Sequence, residues 1–278
     1  MTEHSADLIT ADAIAEYYDG SVEAFGILLG EGGSIHSGYW PDGERDVSFT
    51  RARLNLTELV GDRCRLAPGQ RLLDVGSGLG GPAIHLAGAC EVRVTGITLS
   101  GKQVETSRAK AAAVGCDLVD FHCADALALP FEDGSFDAVM FVETMMHIED
   151  RATAFAEARR VLRPGGRVVV ADFVEDTPLS TVESGMLKSV VRSPFMPTRE
   201  HYRKLAEGNG FSVEEMLDIT KQVRPTAEHY NRAVVAARRK LSEAYGVSGA
   251  GAIAAMINAF GRVAVRAHGY LLLVAAKP

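Results

Sequence analysis

Residues 72–87 read LLDVGSGLGGPAIHLA. An apolar run carries one carboxylate, Asp74. Three glycines follow in GxGxxG spacing at Gly76, Gly78 and Gly81, and then small apolar residues with helical spacing. The pattern predicts a strand, a tight turn and a helix. Glycine lets the backbone turn sharply and approach a ligand closely. The amides that open the next helix would point at something polar or anionic.

Outward from this stretch the chain repeats the unit. The first strand is 71–75 (RLLDV), the second 91–97 (EVRVTGI) and the third 118–122 (LVDFH). The fourth is 136–142 (FDAVMFV) and the fifth 166–174 (GRVVVADFV). These runs are apolar throughout rather than alternating, as parallel strands covered on both faces should be. Helical stretches lie between them, and two end in Gly or Pro-Gly-Gly, which stops a helix. Strands alternating with helices predict an α/β fold with a doubly wound, mostly parallel sheet of Rossmann-like type. Residues 210–219 and 269–278 add two strands, making seven, the last at or near an edge.

Two regions stand outside this core. Residues 1–65 are expected to form a helical segment closing over a cofactor. Residues 66–176 and 205–278 form the binding core, with parts of 177–265 making a substrate cap over the carboxyl ends of the strands, where ligands of open α/β sheets bind.

Composition narrows the partners. The net charge of −7, with Lys and Arg scattered, argues against nucleic acid and against an anionic membrane. The N-terminus is acidic and lacks the apolar core of a signal peptide. Continuous apolar runs are far short of the ~20 residues that span a bilayer. Cys64, Cys90, Cys116 and Cys123 show no CxxC pairing and are expected to be reduced thiols, so the expected compartment is the cytoplasm. The NLT sequon at Asn55 carries no meaning without secretion. His85 is expected to face the core and His122 to end the third strand; neither has partners at metal spacing, so no metal is expected.

The glycine loop must still be matched to a ligand. A dinucleotide would need an acid about 20 residues further on for its ribose. The second strand instead ends Gly96-Ile97-Thr98-Leu99-Ser100, with no acid. A carboxylate inside the first strand is poorly placed beside a pyrophosphate and suits a cation. S-adenosylmethionine carries a sulfonium, an ammonium and a carboxylate and no phosphate, and it is the cofactor these residues fit. A nicotinamide-dependent oxidoreductase is the distant alternative.

LLDVGSGLGG, GITLS, CADALALPFEDGSFDAV and LRPGGRVVVAD together resemble the class I S-adenosylmethionine-dependent methyltransferases over roughly residues 65–175. The resemblance implies cofactor contacts from Asp74, Gly76, Gly78, Thr98, Leu99, Asp125 and Ala126. Thr98 stands where the wider superfamily places an acid on the ribose, with Gln103 available one turn on. YYDG and IHSGYW near the N-terminus, ADFVEDTP, and the closing GYLLLVAAKP resemble bacterial natural-product methyltransferases: sugar O-methyltransferases of indolocarbazole pathways and geranyl diphosphate and prenyl-indole C-methyltransferases, with phosphoethanolamine methyltransferases more distant. That likeness implies that Tyr18 closes over the cofactor and that His36 lies beside its methionine part; Tyr17 and Tyr18 are not distinguished.

The acceptor chemistry rests on FVETMMHIED, at the end of the fourth strand. His147 matches the catalytic histidine of the phosphoethanolamine enzymes, and an unperturbed histidine pKa of ~6.5 suits a general base. The sugar O-methyltransferases carry a histidine pair here, and Met146 stands at the position of its first member. Asp172 and Glu143 are the two further acids at this rim, Asp172 to orient His147 or bind substrate and Glu143 to bind substrate or steady a cation. Met145, Met146, Met186 and Met196 with Phe195 are expected to wall a soft pocket. His147 with Asp172 favours O-methylation of a bulky small molecule. Met146 and the methionine-rich rim favour C-methylation of a prenyl chain, with or without a coupled cyclisation. A cyclase that keeps the cofactor without turnover is the third reading. Homo-oligomerisation through the N-terminal helices is left open.

Overall fold

A computed structural model describes residues 10–30, 34–42, 46–193 and 195–278. Parts of the expected N-terminal segment, 1–9, 31–33 and 43–45, lie outside the described residues. Seven strands form one sheet: β1 (Arg71–Val75), β2 (Arg93–Thr98), β3 (Val119–Cys123), β4 (Phe136–Val142), β5 (Leu162–Glu175), β6 (Ser212–Asp218) and β7 (His268–Ala276). Their spatial order is β3-β2-β1-β4-β5-β7-β6. The first five are mutually parallel, while β7 runs antiparallel to both neighbours. β7 is therefore one strand in from the edge, buried along almost its whole length, and β6 holds the edge.

The apolar strands are explained by where their side chains go. Leu72 and Met140 face one core with Leu56, Val60 and Leu86, whereas Leu73 and Phe141 face the other with Phe155, Ala158 and Tyr202. Successive residues point to opposite faces, so a strand covered on both sides needs apolar residues at every position. Each fully buried Leu contributes roughly 1.5–3 kcal/mol. β5 begins earlier than its 166–174 run because Leu162 already pairs with Phe136; a register shift then absorbs Pro164-Gly165-Gly166 before Arg167 pairs with Ala138.

The helices are α1 (Ala11–Leu29), α2 (Phe49–Cys64), α3 (Gly81–Cys90), α4 (Gly101–Ala113), α5 (Arg151–Val161), α6 (Thr181–Met186), α7 (Arg199–Gly208), α8 (Thr220–Val223) and α9 (Thr226–Ala267). α2 is not part of a cap: Ala52, Leu56, Val60 and Cys64 pack it into a sheet-face core. α1 and α9 instead share a third apolar cluster, in which Leu28 and Leu29 meet Val234, Ala237, Leu241 and Ala250. α9 is two helices meeting at Gly246, whose φ of 69° and ψ of 171° break the helix.

The region Thr220–Ala267 has an 18-residue window of mean hydropathy 1.3, long and apolar enough by length and composition to cross a membrane. No continuous apolar run announces it, because Ser, Gly and Asn interrupt the sequence. Met256, Ile257, Phe260, Gly261 and Ala264 from this helix line the cavity described next.

Candidate active site

Strand order reverses between β1 and β4, which opens a crevice beyond their carboxyl ends. A cavity of about 270 Å³ lies there, lined by the glycine loop, the ends of β2, β4 and β5, α1, α8, α9 and the start of β7.

The glycine loop leaves β1 with Gly76 at φ 80° and Gly78 at φ 53°, in the left-handed region. Space requires Gly76 as well: a Cβ there would lie 2.2 Å from Thr144 Oγ1. Thr144 in turn donates to the Val75 carbonyl at 2.9 Å, tying the end of β4 to the loop. Asp74 is buried and its Oδ2 has no partner, so burial pushes its carboxyl up to about 7. Ser77 Oγ is likewise buried and unpartnered. An orphaned carboxylate oxygen and an orphaned hydroxyl at the loop suit an ammonium and a carboxylate, which is the amino-acid end of S-adenosylmethionine.

Further along the wall, Thr98, Leu99, Gln103, Asp125 and Ala126 all line the cavity. Thr98 spends its proton on Gln103 Oε1 at 2.7 Å and accepts the Ser100 amide at 3.2 Å. One lone pair remains for a ribose hydroxyl, so Thr98 cannot replace a bidentate acid. Asp125 Oδ1 accepts the Leu127 amide at 2.9 Å, which fixes the loop after β3. α1 is pinned over this side by Asp19, which accepts from Ser100 Oγ and, at 3.2 Å, from the Lys102 amide. Nothing in the sequence singled out Asp19.

Tyr18 is distinguished from Tyr17 by its partner. Its hydroxyl lies 2.7 Å from His147 Nε2, while Tyr17 packs edge-on against it at 5.1 Å. His147 closes a short 3-10 turn, Met145–His147, and is buried. Its Nδ1 sits 3.3 Å from the Arg192 carbonyl. A carbonyl only accepts, so Nδ1 carries the proton and Nε2 accepts from Tyr18.

The turn is held from behind. Asp172 Oδ2 accepts the Met146 amide at 3.0 Å and Oδ1 the Phe173 amide at 2.7 Å. Arg151 Nε donates to the Met145 carbonyl at 2.8 Å. Asp172 is fully buried and does not line the cavity, which corrects its expected contact with substrate: it supports the segment that carries His147. Burial, reinforced by Glu143, pushes its carboxyl up to about 7.

Glu143 does line the cavity. Its φ of 51° is unusual for a residue with a side chain. The carboxylate accepts the Ser37 amide at 2.8 Å and the Tyr270 hydroxyl at 2.9 Å, and burial raises its pKa. His36 also reaches the wall, but Nδ1 donates to the Ser37 carbonyl at 2.7 Å and Nε2 lies 3.1 Å from Thr57 Oγ1. Burial lowers its pKa to about 4, so it is a neutral prop for the Ser37 turn and not a polar contact awaiting a ligand.

Of the expected methionine wall, Met146 alone lines the cavity; Met145 and Met196 are in the cores, and Phe195 is half exposed beside Arg151. The apolar wall comes instead from Phe173, Met256, Ile257, Phe260, Ala264 and Tyr270. His85 pairs with Glu58 at 3.2 Å rather than facing the core, and His122 with Asp120 at 2.9 Å. Among the described residues no three metal-ligating side chains gather.

Residues 73–170 match the family described as methyltransferase domain. A methyltransferase of Streptomyces halstedii, GfsG, is 34% identical over 95% of this chain and 94% of its own. The 27-O-demethylrifamycin SV methyltransferase of Amycolatopsis mediterranei is 35% identical over 78% of this chain and 80% of its own. The crystal structure of the [4+2]-cyclase SpnF superimposes with a TM-score of 0.86 at 30% identity, covering 97% of this chain and 96% of that one. With a doubly wound sheet, a glycine loop at its switch point and relatives of this extent, the chain belongs to the class I S-adenosylmethionine-dependent methyltransferases.

Proposed function

We propose that this enzyme methylates a hydroxyl on a bulky, mostly apolar natural-product intermediate. The observation that carries the reading is the Tyr18–His147 pair, 2.7 Å apart on the cavity wall with its tautomer fixed from behind. Relatives named as O-methyltransferases of Penicillium expansum and Aspergillus sclerotiorum support the same reaction class.

Asp74, Ser77, Gly76 and Gly78 would hold the amino-acid end of the cofactor; Thr98, Leu99, Gln103, Asp125 and Ala126 would hold its nucleoside. S-adenosylmethionine supplies, when bound, a methyl already activated by a sulfonium. The protein then has to position the acceptor, keep water out and take one proton. Positioning is worth as much as ~7–11 kcal/mol of the barrier. An acceptor hydroxyl donates to Tyr18 Oη; as its proton passes to Tyr18, the Tyr18 proton moves to His147 Nε2. The acceptor oxygen is left with the electron pair that forms the new bond to carbon. His147 ends as an imidazolium, with Nδ1–H still on the Arg192 carbonyl. α1 and α9 close the cavity and exclude water.

The test is turnover of a hydroxylated acceptor by His147→Ala and Tyr18→Phe, with cofactor affinity measured in parallel. Unchanged turnover by His147→Ala would refute the base assignment.

A second reading, cyclisation in the cavity without methyl transfer, is favoured by the 30% identity to a [4+2]-cyclase over nearly the whole chain. Bound cofactor that never turns over, with an acceptor that rearranges, would mark it.

A further inference from the structure

His268 opens β7, level with Glu175 at the end of β5, and lines the cavity. It is 3% exposed, and neither ring nitrogen has a hydrogen-bond partner. His36, His85, His122 and His147 each have one. Its neighbours on the wall are apolar rings: Phe173 at 5.7 Å and Phe260 at 6.0 Å. The nearby charges are engaged with one another, Arg266 with Glu183 and Arg199 with Asp176. Burial lowers the ring's pKa to about 4, so it is neutral, with one N–H donor and one bare acceptor.

A buried polar ring that satisfies nothing in the protein is a standing cost to folding. Such a cost is tolerated where a ligand supplies the missing partner. β7 is separated from β4 by β5 alone, so two strand spacings, about 10 Å, divide it from the strand that leads to His147. His268 and the Tyr18–His147 pair thus enter the cavity from different elements of the fold.

We propose that His268 is a specificity-determining residue that hydrogen-bonds a second hydroxyl of the acceptor, distant from the one that receives the methyl. The inference rests on the reading of this cavity as the acceptor site. It narrows the substrate class to apolar molecules with at least two separate oxygen functions. Phe173, Phe260 and Ala264 would cover the carbon skeleton between them.

The experiment uses the full chain loaded with S-adenosylhomocysteine and two probes of equal length, 1-octanol and 1-fluorooctane. Binding is read from the His268 ring resonances by ¹H–¹⁵N NMR and from thermal stability. The wild type should bind octanol about tenfold more tightly, with the His268 nitrogens shifting for octanol alone. His268→Phe should bind both probes alike, and its ligand-free Tm should rise by about 2–4 °C, since it removes an unsatisfied group and breaks no bond. A variant that keeps the octanol preference, or whose Tm falls because the ring has a structural partner, overturns the proposal. The probes report on His268 whether or not methyl transfer occurs, so failure of the O-methylation reading would show separately, as a wild type that methylates no hydroxylated acceptor.

Discussion

Asp74→Asn should make the ligand-free protein more stable at pH 8 while weakening its hold on the cofactor. Asp74 is 2% exposed, its Oδ2 has no partner, and burial moves its carboxyl from 3.8 to about 7. The folded protein therefore binds a proton more tightly than the unfolded chain does. Stability is lost as pH rises from 3.8 through 7, and the whole loss is present at pH 8. A shift of about 3 units at 1.36 kcal/mol each gives about 4 kcal/mol. That is a ceiling for the gain, because asparagine still buries an amide. Below pH 4 both proteins are uncharged at this position and the difference should vanish. Cofactor affinity should follow the opposite course: if the ionised carboxylate receives the ammonium, the wild-type Kd rises up to tenfold per unit as pH falls below about 7, and the variant's Kd is weaker and flat. Urea unfolding at pH 4 and 8, with calorimetric titration of S-adenosylhomocysteine across the same range, measures both. A variant less stable than wild type by the same amount at both pH values would refute the reasoning, since it would mean the carboxylate is satisfied within the protein.

Three further outcomes are expected. His147→Ala should lower kcat by ~10²–10⁴-fold with cofactor affinity retained, and Tyr18→Phe should lower kcat in the same direction, as measured by steady-state kinetics with a hydroxylated acceptor. Gly76→Ala should abolish cofactor binding, because a Cβ meets Thr144 Oγ1 at 2.2 Å and φ is +80°; Gly76→Ala/Thr144→Ala, which removes the clash but not the strain, should recover part of the binding in the same titration. His36, held at about 4 by burial, binds a proton less readily folded than unfolded, so its contribution is complete above pH 6.5 and is lost as pH falls toward 4; replacing it with Gln should flatten the acid limb of a Tm-against-pH curve.

The core was readable because strand and turn chemistry are local. LLDVGSGLGG states its own geometry: an apolar strand, then glycines at positive φ, the first of which, Gly76, has no room for a Cβ beside Thr144. The proposed cofactor side could be placed as well: Asp74, Thr98, Leu99 and Asp125 sit at strand ends that the alternation of elements already located, and all four line the cavity. The acceptor side was harder, because it is assembled from distant segments. Asp172 has the same sequence signature whether it lines a cavity or caps the Met146 amide from behind, and it does the latter. Met186 and Phe195 read as a pocket wall, yet the wall is built by α9, whose apolar residues are diluted by Gly, Ser and Asn along the chain and gather on one face only when coiled. His268 and Tyr270 sit in GYLLLVAAKP and its approach, which reads as a plain strand. Their chemistry emerges from β7 being inserted beside β5, a pairing that no local pattern encodes.

The most direct test of the account is the fate of a ¹³C-labelled methyl. The protein is incubated with [methyl-¹³C]S-adenosylmethionine and a panel of hydroxylated and prenylated natural products, and the labelled carbon is read by NMR. The account predicts an oxygen-bound methyl on a dihydroxylated, mostly apolar acceptor, lost in His147→Ala. A methyl bound to carbon, or a rearranged acceptor carrying no label, would contradict it.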